Sequence, residues 1–145
     1  MKGIYIYILI GVMVLALGGL ALFRGAEKKL EVKTDKDLYA VATSLIVNIK
    51  NDSGQKICFS SCYPYRLERI QPDGAEWIGY EYGDCPKKDE VATCIDKNGS
   101  KKFQLQLDEA EPGTHRLEVA ACIACNVGEP FKAEKVFYSN SFQIK

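Results

Sequence analysis

The sequence predicts an all-β domain of antiparallel strands, a sandwich or a barrel, carried behind one N-terminal apolar helix. Three observations predict it. Beyond residue 30 the apolar residues alternate at period two in short runs. Those runs are separated by turn chemistry at intervals of roughly 8–12 residues. No stretch in that region carries an apolar stripe at helical spacing long enough for a helix, and "KKDEVAT" is its one ambiguous piece.

The N-terminal element comes first. Ile4 to Phe23 reads "IYIYILIGVMVLALGGLALF" without a charged residue. A helix of that length spans about 30 Å, the hydrocarbon thickness of a bilayer. Tyr5 and Tyr7 sit near one end, as interfacial aromatics do, and Arg24, Lys28 and Lys29 close the other. Lys2 with Gly19 and Ala21 also fits a cleaved signal, but the apolar run continues through Leu22 and Phe23, longer than a signal core. A pilin-like leader lacks its usual early acidic residue. An uncleaved anchor is the favoured reading, and all three readings export residues 24–145. The expected location is therefore the cell membrane, single-pass, with the C-terminal domain extracytoplasmic and residues 4–23 contacting the lipid.

The strands follow in order. They are expected near 29–34, 43–50, 56–60, 64–70, 76–82, 102–108, 114–122 and 134–144. Within "TSLIVNIKNDSG", Leu45, Val47 and Ile49 share one face, and Asn51-Asp52-Ser53-Gly54 stops the strand. Two strands flank Gln71-Pro72-Asp73-Gly74, a strong turn signal. Phe103, Leu105 and Leu107 alternate with Gln104 and Gln106, and Leu117, Val119 and Ala121 repeat the pattern. Phe142 and Ile144 finish the chain in step.

Six cysteines, Cys58, Cys62, Cys85, Cys94, Cys122 and Cys125, all fall in the exported part. An even count there reads as a disulfide framework, with 15 possible pairings left open. Zinc prefers two tight Cys pairs on knuckle-like turns, and Cys85 and Cys94 are too far apart for one. A redox dithiol places its first Cys at a helix N-terminus, whereas Cys122-Ile123-Ala124-Cys125 follows a strand and runs into Asn126-Val127-Gly128-Glu129-Pro130. Structural disulfides are expected, with no cofactor and no metal ligand set. A thiolate metal site stays as an alternative.

The runs "LIVNIKNDSGQKICF", "YPYRLERIQPDGAEWIGYE", "PGTHRLEVA" and "VFYSNSFQIK" resemble bacterial immunoglobulin-like domains of the exported, lipoprotein-associated kind. The middle segment is also similar to the bacterial intracellular proteinase inhibitor family, in its "N-x-S"-like strand end and in Gly74 followed closely by Trp77. The cysteine set departs from the inhibitor pattern. The resemblance covers about 110 residues and implies a two-sheet sandwich of about 7–8 strands that binds or spaces without catalysis. With the apolar run and the polar stretch after it, the chain divides into a tail (1–3), an anchor (4–23), a linker (24–30) and an immunoglobulin-like domain (31–145). The resemblance also implies that Cys58 and Cys62 lie in the B–C loop and Cys122 and Cys125 in the F–G loop, at the same end of the sandwich.

Function classes follow from the remaining residues. The 145-residue chain carries 19 basic and 19 acidic side chains, interspersed, so no basic stripe points to nucleic acid. His115 is the only histidine, placed on the face of Leu117 and Val119, and it reads as structural. Asp108, Glu109 and Glu111 precede Pro112-Gly113 and read as a solvated loop, so no enzyme is expected. Tyr63, Tyr65, Trp77, Tyr80 and Tyr82 form an aromatic concentration, a candidate surface for a protein or glycan partner. Asn51-Asp52-Ser53 and Asn98-Gly99-Ser100 match glycosylation sequons. The expected function is a membrane-anchored binding or accessory module stapled by disulfides. Its alternatives are a protease-inhibitor-like domain and a thiolate metal-binding domain.

Overall fold

The computed structural model describes residues 30–74, 76–80, 85, 87–107 and 110–145. The expected anchor, residues 4–23, lies outside them. Among the described residues, no helix is long and apolar enough to cross a membrane.

The domain is all-β. Its strands are β1 (Leu30–Thr34), β2 (Leu38–Tyr39), β3 (Ser44–Asn51), β4 (Ile57–Ser60), β5 (Arg66–Ile70), β6 (Trp77–Gly79), β7 (Val91–Ile95), β8 (Ser100–Gln106), β9 (Gly113–Ile123), β10 (Lys135–Tyr138) and β11 (Phe142–Ile144). One sheet has the order β1-β3-β8. The other centres on β9, an eleven-residue strand with partner strands on both sides. β4 and then β5 run along one side of it, β10 and β11 along the other. Farther out, β7 attaches to β4, β6 to β5 and β2 to β11.

Alternation decides which faces meet. Leu45, Val47 and Ile49 of β3 point into the core with Leu105 and Leu107. From the β9 sheet, Leu117, Val119 and Ala121 join Ile57, Phe59, Phe142 and Ile144 in the same cluster. Burying side chains of this size stabilises by about 1.5–3 kcal/mol each. Every inward position named from the sequence is buried except Phe103, which is half-buried and meets Phe59 edge-on.

Four features differ from the sequence reading. Among the described residues, eleven short strands replace the expected seven or eight. β2 (Leu38–Tyr39) falls between the expected strands, in a stretch given none. The strand expected over 134–144 is two strands, because the chain from Tyr138 to Phe142 takes four steps while β9 takes three from Glu118 to His115. That extra residue is a bulge. In it, Asn140 reaches the other sheet, accepting a hydrogen bond from the Thr34 N–H at 2.9 Å. Lastly, β7 lies inside what reads as a long cysteine-bearing connection. A register shift between Phe59 and Ser60 breaks its alternation against β4.

Candidate functional site

Where β9 passes from β4 to β5, the sheet forks. Cys58 pairs with Cys122 and Arg66 with Glu118, so the β4–β5 chain uses eight steps where β9 uses four. The surplus, residues 61–65, swings away from β9. A cleft of about 540 Å³ opens there, lined by Tyr63, Tyr65, Arg66, Gly79, Tyr80, Glu118 and Ala120. The Cys62–Cys85 disulfide, Cα atoms 5.7 Å apart, ties the swung-out loop to the segment between β6 and β7. Ser60 holds the loop's start: its hydroxyl donates to Asp89 at 2.7 Å and accepts from the N–H groups of Cys62 and Tyr63, both at 2.9 Å.

Glycine at position 79 leaves room for the Arg66 side chain in its present pose. A Cβ there would stand 2.7 Å from the Arg66 Nε, so a larger residue would push the guanidinium off this part of β6. Arg66 then donates to Glu68 and Glu118, each at 3.1 Å. Glu68 is only 3% exposed, and it also accepts from Arg116 Nε at 2.6 Å. The Arg116 guanidinium is stacked between two rings, 4.3 Å from the Trp77 centroid and 4.0 Å from that of Tyr138. This ladder of charges and rings braces the outer face of β6, β5, β9 and β10, and it supplies the cleft with one cation and one carboxylate.

Three of the five aromatic residues singled out from the sequence therefore meet in one place, Tyr63, Tyr65 and Tyr80. Trp77 belongs to the Arg116 stack instead, and Tyr82 lies outside the described residues. Arg66 and Glu118 were not singled out. Their signal was present, because each stands one position out of phase with an inward leucine, Leu67 and Leu117.

His115 is fully buried between the rings of Tyr80 and Phe142. The Tyr80 hydroxyl accepts from the Glu111 N–H at 3.1 Å, so its proton is directed at His115 Nε2, 3.0 Å away. Nδ1 then carries the imidazole proton and donates to the Gly113 carbonyl at 3.0 Å. Burial pushes its pKa below the ordinary 6.5. The imidazole is a neutral spacer that fixes the back of Tyr80. Glu111 forms an ion pair with Arg69, while Asp108 and Glu109 lie outside the described residues.

All six cysteines are paired: Cys58–Cys94, Cys62–Cys85 and Cys122–Cys125. Their placement corrects the loop assignment made by resemblance. Cys58 is not in a loop but in β4, Cys94 is in β7, and Cys122 is the next-to-last residue of β9. All three stand out of phase with the core-facing residues, so they share the outer face. Cys125 folds back over them, its carbonyl oxygen 3.2 Å from Cys58 Sγ, with Ala124 in the left-handed region at φ 56°. Cys122, Cys125 and Glu134 bring ligand-type atoms within 4.8 Å of one another. While the two sulfurs are bonded to each other, they offer a metal no thiolate.

The two sequons differ. Asn98 is exposed, in the left-handed region at φ 61°. Asn51 is fully buried, and its amide donates to the carbonyls of Gln55, Ile95 and Asp96 at 2.6, 3.0 and 3.1 Å. The folded chain offers no glycan acceptor at Asn51.

No protein-family model matches the chain, and no curated protein does. Among solved structures, an alkylpurine DNA glycosylase from Pseudomonas fluorescens bound to abasic-site DNA is similar over 87% of this chain and 33% of its own, at 7% identity and TM-score 0.39. A β-glucosidase from Listeria innocua is similar over 80% of this chain and 16% of its own, at 18% identity and TM-score 0.37. A CARDB domain from Pyrococcus furiosus covers 79% of this chain and 93% of its own, at 15% identity and TM-score 0.36. These overlaps are too loose to bring an activity or a partner to this chain.

Proposed function

We propose that residues 31–145 form an immunoglobulin-like binding module, held outside the cytoplasm on a membrane span at residues 4–23, and that it acts through the cleft of Tyr63, Tyr65 and Tyr80 without catalysis. The order β1-β3-β8 against β11-β9-β4 supports the fold reading, with β1, β3 and β8 in the places of strands A, B and E and β4, β9 and β11 in those of C, F and G. Three disulfides in one small domain suit an oxidising compartment.

The cleft itself carries the reading. Tyrosine rings give large contact area at low entropic cost. Arg66 and Glu118 add one charge of each sign, which suits a neutral polar ligand such as a glycan or a mixed-charge peptide segment. The full chain in detergent, screened against glycan and peptide panels, is expected to give binders that a Tyr63→Ala/Tyr65→Phe double variant, which keeps the Tyr65 ring packed on the core, loses by tenfold or more (about 1.4 kcal/mol) with little change in melting temperature. Binders that survive the double substitution would place the site elsewhere.

A further inference from the structure

Cys58 has a cysteine directly opposite it on both sides, Cys94 on β7 and Cys122 on β9. In an antiparallel sheet a residue's N–H and C=O both point to one neighbour. It therefore makes a close pair on one side, Cα atoms about 4.5 Å apart, and a wider pair on the other, at about 5.5 Å. At 4.0 Å, Cys58–Cys94 is the close pair. Cys58–Cys122 is then the wider one, in the middle of the Cα range of about 4.4–6.8 Å that disulfides span. Directly opposed residues also share a face, so the Cys122 sulfur stands beside the Cys58–Cys94 bond. Its present partner, Cys125, lies three residues on and is half-buried, whereas Cys58 and Cys122 are closed to solvent.

We infer that Cys122–Cys125 is a thiol–disulfide exchange site, whose external substrate is a dithiol and whose internal acceptor is Cys58–Cys94. A thiolate of the dithiol attacks Cys125 Sγ, the Cys122–Cys125 bond breaks, and Cys122 leaves as a thiolate. The second thiol of the dithiol resolves the mixed disulfide, releasing Cys125 and closing the dithiol to its own disulfide. The Cys122 thiolate attacks Cys58 Sγ in turn; the Cys58–Cys94 bond breaks, and Cys94 leaves and takes up a proton. Two electrons pass from the dithiol to the protein, which ends with Cys58–Cys122 bonded and Cys94 and Cys125 as thiols. The staple moves from β4–β7 to β4–β9. β7, which pairs with no named strand other than β4, loses its covalent tie.

The test treats the full chain in detergent with one equivalent of dithiothreitol, quenches with N-ethylmaleimide and maps labels and cross-links by mass spectrometry without further reduction. Label at Cys94 and Cys125, with a Cys58–Cys122 cross-link, is expected. Label at Cys122 and Cys125 with Cys58–Cys94 intact overturns the relay, and label at Cys62 and Cys85 alone overturns the assignment of the entry site. A Cys125→Ser variant needs no reductant: its unpaired thiol is expected to map to Cys94, and a label confined to Cys122 sinks the inference. If that variant does not fold, the wild-type map decides.

Discussion

Asn51 ends β3 as a fully buried polar side chain with five hydrogen-bond contacts: its two amide hydrogens are shared among three carbonyls, and its oxygen accepts twice from Ser53. Asn51→Ala removes all five. Most of the groups left behind keep another partner: the Gln55 carbonyl retains the Ser53 hydroxyl at 3.3 Å, and the Asp96 carbonyl retains the Gly99 N–H at 3.0 Å. The Ile95 carbonyl keeps the Ile57 N–H opposite it in the ladder, and the Ser53 hydroxyl keeps the Gln55 carbonyl, so the net loss is the two amide donors of Asn51 and the one bond made by the Ser53 N–H. At about 1 kcal/mol for each lost bond, more where the group stays dry, the variant is expected to lose about 3 kcal/mol. In a domain of this size that lowers the melting temperature by about 10–15 °C. Asn51→Asp keeps the acceptor but sets a carboxylate against three carbonyl oxygens, so at neutral pH it is expected to be at least as damaging. Urea unfolding followed by the fluorescence of Trp77, the single tryptophan, measures both. A loss below about 1 kcal/mol in Asn51→Ala, or an Asp variant as stable as wild type, would refute the hub role.

His115 and Arg116 give two further expectations. Because burial lowers the His115 pKa from 6.5, the unfolded chain binds its proton more readily than the folded one. Stability is then level above that pH and falls as pH drops below it, by up to about 1.4 kcal/mol per unit until the folded pKa is reached. Urea midpoints between about pH 7.5 and 5 should show this limb in wild type and lose it in His115→Gln; a flat wild-type profile contradicts a neutral, buried imidazole. Arg116→Met removes the cation from between Trp77 and Tyr138 and leaves the buried Glu68 carboxylate with Arg66 alone. It should cost about 2–4 kcal/mol and shift Trp77 emission, with Arg116→Lys losing less. A Met variant within about 0.5 kcal/mol of wild type would show the ladder to be decorative.

Alternation made most of the core readable, because Leu45, Val47, Leu117 and Val119 can be buried together only on one face of a strand. The turn at Gln71–Gly74 was equally legible. Its hairpin pairs Ile70 with Trp77, and Gly74 takes the positive φ of 72° that its position requires. What the sequence hid lies where period two fails. β7 crosses a register shift, and the last strand carries a bulge whose purpose, the Asn140 contact with Thr34, spans 106 residues. The cleft shows the same division. Its tyrosines stood out as a cluster, but their meeting depends on a fork in the sheet, which is a property of pairing and not of any one segment. The cysteine row was hidden for a related reason: nothing local to Cys58 says which strands flank it.

The central place of β9 bears on how the chain acquires its bonds during synthesis. Polypeptide emerges N-terminus first, and Cys94 precedes Cys122 by 28 residues. At about 5–20 residues per second, Cys58 meets Cys94 roughly 1–6 s before Cys122 exists to compete for it. The three-stranded sheet is also complete in sequence by Gln106, whereas the larger one waits for its hub to be made. Vectorial growth thus favours the β4–β7 bond kinetically. A protein refolded from full-length denatured chain has no such head start, and Cys122 then competes with Cys94 for Cys58 from the first moment.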